Sequence, residues 1–93
     1  MPSLVFRVHA LRRMFQRWIT LDDVRAVLAQ GEVIEERPDD LPYQSRLVLG
    51  YAGGRALHIV VADNKQDDET IIVTIYEPEP AQWLPGFKRR RSP

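Results

Sequence analysis

The period of the hydrophobic positions changes twice along this chain. Leu4, Val5, Phe6, Arg7 and Val8 are rich in β-formers and predict a first strand. From His9 the spacing becomes helical. Leu11, Met14, Phe15, Trp18 and Ile19 fall at i, i+3, i+4, i+7 and i+8, a single apolar stripe, with Arg12, Arg13, Gln16 and Arg17 on the other side. Thr20-Leu21-Asp22-Asp23 has the form of a capping box, with Asp23 in place of the usual Glu. It opens a second helix that buries Leu21, Val24, Val27 and Leu28 and stops at Gly31, where a left-handed residue is expected. Helices this short do not persist alone in water, so the pair is expected as an αα-hairpin held by a sheet.

After Gly31 the strand signals dominate. Strands are expected over residues 32–37, 45–52, 55–63 and 70–76. Residues 38–42, with two prolines and two aspartates, and the polar residues 64–69 predict loops. Gly53-Gly54 accepts the positive φ of a two-residue hairpin turn. Pro78 and Pro80 end the last strand, and Trp83 and Phe87 are expected to fold back onto the domain. The fold class is therefore α+β: a strand, a two-helix hairpin, then a four-stranded, mainly antiparallel sheet with both helices on one face. Residues 1–84 form one domain, and residues 85–93 a basic, flexible tail.

Alternation along each strand assigns faces. Leu47, Leu49 and Tyr51 oppose Arg46, Val48 and Gly50. Leu57, Ile59 and Val61 oppose Ala56, His58, Val60 and Ala62. Ile71, Val73 and Ile75 oppose Ile72, Thr74 and Tyr76. If the larger apolar faces cover the helices, Arg46, His58, Thr74 and Tyr76 gather on one exposed surface. A cation, an imidazole, a hydroxyl and a phenol together can bind a phosphate and move a proton. Each alone is also ordinary on a solvated sheet face.

Composition narrows the chemistry. The chain has no cysteine, which removes disulfides and thiolate metal sites. It fits a reducing cytoplasm, and neither a signal peptide nor a membrane span is expected. Net charge is zero, but it is unevenly spread. Residues 1–19 carry Arg7, Arg12, Arg13 and Arg17 and no acid; all thirteen acids fall between residues 20 and 80; the end carries Lys88, Arg89, Arg90 and Arg91. Such asymmetry permits a local anion-binding patch and argues against a uniformly basic nucleic-acid binder. Arg13 and Arg17, one helical turn apart, are spaced to grip a phosphate. His9, at a strand-to-helix junction, is placed to stay neutral and accept a proton. Two histidines without cysteine make a poor zinc set, and the pairs Asp22-Asp23, Asp39-Asp40 and Asp67-Asp68 sit where acids are common. No metal and no cofactor is expected.

An ordered series of segments carries a resemblance. His9-Ala10, Arg13-Met14 and Arg17 are followed by Gly31-Glu32-Val33-Ile34-Glu35 and Leu49-Gly50. Then come Leu57-His58-Ile59-Val60-Val61, Val73-Thr74-Ile75-Tyr76-Glu77-Pro78 and Trp83. Over residues 5–84 the chain resembles a bacterial domain-of-unknown-function family, number 4258, which is similar to the RelE and barnase-like metal-independent ribonucleases, many of them toxins. The expected proline before the Leu-His pair is Ala56 here. The resemblance implies a RelE-like fold and an RNA-binding sheet face opposite the helices. It also implies attack of a ribose 2′-OH on the adjacent phosphate. On that expectation His9 or His58 accepts the 2′-OH proton, and Tyr76 or the other histidine protonates the leaving oxygen. Thr74 joins the catalytic set, and Arg13, Arg17 and Arg46 stabilise the charge on phosphorus. The expected partners are RNA and a cognate antitoxin protein, with the chain a monomer or homodimer. The alternative is a non-catalytic RNA- or protein-binding module on a degenerate nuclease fold.

Overall fold

The structure, a computed structural model, describes residues 2–92. Met1, counted in the expected domain 1–84, and Pro93, the end of the expected tail 85–93, lie outside the described residues. The element order is β1 (Ser3–Phe6), α1 (Val8–Arg17), α2 (Leu21–Gln30), β2 (Glu32–Arg37), β3 (Ser45–Ala52), β4 (Arg55–Asn64) and β5 (Glu69–Tyr76). They build one sheet in the order β1-β5-β4-β3-β2. The mixed α+β class stands, but the expected four-stranded sheet is corrected to five strands. The first strand joins the sheet, parallel to β5, with Val5 opposite Ile71 and Phe6 opposite Ile72. All other pairings are antiparallel.

The capping box forms as the sequence requires: Asp23 N–H donates to Thr20 Oγ1 (3.1 Å) and Thr20 N–H to an Asp23 carboxylate oxygen (2.9 Å). Gly31 departs from expectation. Its backbone is extended (φ −75°), so a left-handed turn is not why glycine stands there. A Cβ would lie 2.3 Å from the Val27 carbonyl oxygen and 2.7 Å from Val48, so the position needs the missing side chain as room. The left-handed C-cap belongs instead to α1, at Trp18 (φ 55°).

Two clusters of buried side chains lie on opposite sides of the sheet. On the helix side, Ala10, Ile19, Val24 and Val27 pack on Val48, Leu57, Ile59, Val61, Ile72 and Ile75. On the other side, Leu47 and Val60 pack on Trp83, with Ile34, Val73 and Phe87 around them. This second cluster exists because the chain after β5 returns across the sheet, burying Trp83 to 2% exposure. This return includes residues 85–91 of the expected tail. Leu84 N–H donates to Arg89 O, Arg91 N–H to Gln82 O, and Trp83 bridges to Arg90. The Arg90 guanidinium lies 4.6 Å from the Trp83 ring centroid and pairs with Glu35 at 3.0 Å.

The expected assignment of faces is corrected in two strands. In β3 the helix face is Arg46, Val48 and Gly50, not the bulkier Leu47, Leu49 and Tyr51. The register sets Val48 opposite Ile59 and Gly50 opposite Leu57, whereas Leu49 stands opposite His58. The cause is Gly50. A Cβ there would lie 2.8 Å from Val27 Cγ1, so α2 approaches where the sheet has no side chain. In β5 a bulge at Val73 sets Thr74 opposite Val60 but Ile72 opposite Val61. Ile72 and Ile75 therefore reach the helix side, while Val73 joins the Trp83 cluster. The bulge breaks strict alternation.

The α1 stripe is corrected as well. Ala10 and Met14 face the core, together with Ile19 beyond the helix end, whereas Phe15 is 88% and Trp18 86% exposed. α1 lies along β5 and α2 along β3, so each covers a different part of the sheet. No helix among the described residues is long and apolar enough to cross a membrane.

Candidate functional site

His58 is fully buried, and both ring nitrogens are engaged. Nε2 lies 2.8 Å from the Phe87 carbonyl oxygen and Nδ1 lies 3.2 Å from the Tyr76 hydroxyl. A carbonyl oxygen only accepts, so Nε2 carries the proton and donates it, and Nδ1 accepts from the Tyr76 O–H. Trp83 packs edge-on against the imidazole, centroids 4.4 Å apart, and Tyr76 lies at 5.2 Å. Burial lowers the His58 pKa below its usual 6.5, against the opposing pull of the Phe87 carbonyl and of Glu35. Burial likewise raises the Tyr76 hydroxyl above 10. Both shifts disfavour charge, so the pair rests neutral with the shared proton on Tyr76. On the far side of Trp83, Glu35 is held below the usual carboxylate range, chiefly by its hydrogen bonds from Arg90.

Tyr76 connects this buried pair to a cleft. β1 pairs only with residues 69–72 of β5, so the outer edge of Val73–Tyr76 meets α1 rather than a strand. The space between that edge, α1 and the Glu77–Gln82 segment is about 410 Å³, lined by Arg13, Arg17, Thr74, Tyr76, Glu79 and Gln82, among others. Four residues singled out in the sequence therefore share one cavity. With its proton directed at His58, the Tyr76 oxygen keeps a lone pair to accept a further hydrogen bond. Two guanidinium groups, a hydroxyl and an acceptor phenol face the same volume, which suits an anionic group that carries a hydroxyl beside it.

The sequence did not single out the groups that shape this cleft. Arg55 donates to the last carbonyls of α1, at 2.7 Å to Arg17 O and 2.6 Å to Trp18 O, and pairs with Glu77 at 2.8 Å. One side chain thus caps the helix, complements its dipole and neutralises a carboxylate of the cleft wall. Glu79 has no such cation among the described residues. The signal was present in Glu77-Pro78-Glu79-Pro80, where the two prolines hold both acids in extended chain beside Tyr76.

The remaining candidates separate from the cleft. His58 has no exposed atom and reaches it only through Tyr76. Arg46 is corrected: it stands opposite Val61 on the helix side and pairs with Asp63, so it cannot share a surface with His58. His9 is exposed in the first turn of α1. It does not line the cleft, but His9, Arg13 and Arg17 are spaced by four residues and form one row along the helix. Among the described residues no group of three or more His, Asp or Glu side chains is placed to hold a metal ion.

Against known proteins, the family model described as Domain of unknown function (DUF4258) matches residues 6–77, which include His9, His58, Thr74 and Tyr76. No curated protein and no solved structure matches the chain.

Proposed function

The chain belongs to the family described as Domain of unknown function (DUF4258), and from that premise we propose that its α1–β5 cleft binds single-stranded RNA and cleaves it by 2′-OH transesterification without a metal ion. The reading draws on the similarity expected between this family and the RelE and barnase-like ribonucleases. The observation that carries it is the convergence of Arg13, Arg17, Thr74 and Tyr76 on one cavity, with Tyr76 hydrogen-bonded to a buried imidazole.

In this mechanism Arg13 and Arg17 hold the non-bridging phosphate oxygens, and Thr74 donates to one of them. The 2′-oxygen attacks phosphorus as its proton passes to the Tyr76 oxygen and the Tyr76 proton passes to His58 Nδ1. The bond from phosphorus to the 5′ oxygen breaks, and His9, at the head of the Arg13–Arg17 row, donates a proton to that oxygen. The products are a 2′,3′-cyclic phosphate and a 5′-hydroxyl. Burial makes His58 a reluctant base, so it holds the proton only transiently and returns it through Tyr76. The role of His58 is that of a positioning and relay group, because it cannot touch the substrate.

The test is a labelled single-stranded RNA incubated with the protein in excess chelator. Cleavage to cyclic-phosphate ends, lost in Tyr76→Phe and in Arg13→Ala/Arg17→Ala, is expected. No cleavage by the native protein, or cleavage indifferent to both changes, overturns the reading. The complete burial of His58 favours a second reading, a cleft that binds RNA without cutting it. That reading predicts binding lost in the arginine variant and no cleavage at all.

A further inference from the structure

The apolar surface left open on the helix side is large. Val8, Leu11, Phe15 and Trp18 recur at spacings of three, four and three residues, and each is about half exposed or more. The first three lie on α1 at the spacing of a helix seam that packs on another helix, and Trp18 follows at its left-handed C-cap. The helix side also carries a concave groove of about 910 Å³, lined mainly by apolar residues such as Leu4, Phe6, Leu28 and Val48. The two are continuous in the chain: Phe6 of the groove precedes Val8 by two residues, and Leu21 of the groove follows Trp18 by three.

The charges on α1 and in the groove lining have one sign. Arg12 follows Leu11 in α1, and α1 carries no acid. Arg25 and Arg46 line the groove, and no carboxylate does. Arg46 is already paired with Asp63, but Arg12 and Arg25 have no carboxylate partner among the described residues. Isolated exposed apolar side chains need no explanation, but an apolar helix seam and an apolar groove joined by short chain segments and carrying unpaired cations point to a partner. A second copy set against this face by a twofold axis would bring the same arginines together. A flat lipid surface does not fill a concave groove. A helix does, when its apolar residues recur at i, i+3, i+4 and i+7 and its flanks are acidic.

We propose that the α1 seam and the adjoining groove dock an acidic amphipathic helix of another protein. Arg13 and Arg17 project from a different side of α1, toward the cleft. The docking surface is therefore separate from the RNA site and stands whether or not that cleft acts on RNA.

The probe is a synthetic peptide with leucine at helix-seam positions and glutamate elsewhere, titrated into the native protein. Its counterpart carries lysine for every glutamate. Saturable binding of the glutamate peptide is expected, with a blue shift of tryptophan emission because Trp18 leaves water while Trp83 is already buried. Phe15→Ser/Trp18→Ser should weaken binding at least about tenfold, read by a peptide-borne fluorophore, and Arg12→Glu/Arg25→Glu should weaken it similarly. All four positions are exposed, so the fold is retained, as circular dichroism will confirm. Absence of saturable binding, or equal binding of the lysine peptide, overturns the proposal. So does a dimer in sedimentation that Phe15→Ser/Trp18→Ser dissolves, which assigns the face to a second copy. Co-sedimentation with phosphatidylglycerol vesicles lost in the same variant assigns it to a membrane and also overturns the proposal.

Discussion

The Tyr76 hydroxyl donates to His58 Nδ1 across 3.2 Å, joining a buried imidazole to the wall of an open cleft. Burial pulls the imidazole down and the phenol up, so the contact holds one proton between two neutral groups.

The depressed His58 sets a pH dependence of stability. Its folded pKa lies below the usual 6.5, so as pH falls the unfolded chain binds this proton first. The group costs nothing above about pH 6.5 and destabilises the fold below it, down to its lower folded value. Thermal melts from about pH 8 to about pH 5 should show native stability declining below about 6.5, and that component should vanish in His58→Gln. Parallel curves for the two proteins contradict this. Glu35, with its pKa lowered, loses its contribution only at more acid pH, below the usual 4.5.

Packing rather than charge holds the C-terminal return. Trp83→Ala removes a fully packed indole and should cost about 3–5 kcal/mol. Arg90→Ala loses an exposed ion pair and a cation–π contact and should cost about 1 kcal/mol. Denaturant melts rank the two, and an Arg90 effect equal to that of Trp83 would overturn the ordering.

Gly50→Ala tests the corrected face of β3. Its Cβ meets Val27 Cγ1 at 2.8 Å and Val27 Cα at 3.0 Å, so the variant should lose about 1–3 kcal/mol. That is roughly a 4–20 °C fall in Tm for a domain of this size. An unchanged Tm would mean that α2 does not sit over Gly50.

Much of this fold was legible in the sequence. The capping box at Thr20, the Gly53-Gly54 turn and the four strands after Gly31 follow from local chemistry that tertiary contacts leave in place. The faces of β3 and β5 were not legible. Residue size pointed to Leu47 and Leu49 as the helix face, but both sides of this sheet are buried, and Gly50 decides the matter by its lack of bulk. The Val73 bulge then moves Ile72 to the side opposite its expected place. The β3 assignment explains why Arg46 does not share a face with His58. The return of Trp83 was legible as a fold-back, but not that it would bury His58.

The electrostatics of the cleft make opposite predictions for neighbouring residues. Arg13→Ala/Arg17→Ala should weaken RNA binding and flatten its dependence on log salt by about 0.7 per lost phosphate contact. Glu79→Gln removes a carboxylate with no ion-pair partner among the described residues and should tighten binding by a few-fold at low salt. Glu77 is already neutralised by Arg55, so Glu77→Gln should change affinity less. Equal effects of the two glutamate changes would contradict the assigned pairing.

The central claim is that the α1–β5 cleft, and not the basic C-terminal return, meets RNA. Titration of a short single-stranded RNA followed by heteronuclear NMR tests it residue by residue. Saturable amide shifts concentrated at Arg13, Arg17, Thr74 and Tyr76 are expected, with Arg89 and Arg91 little moved. Shifts confined to residues 88–91, with the cleft amides silent, would contradict it.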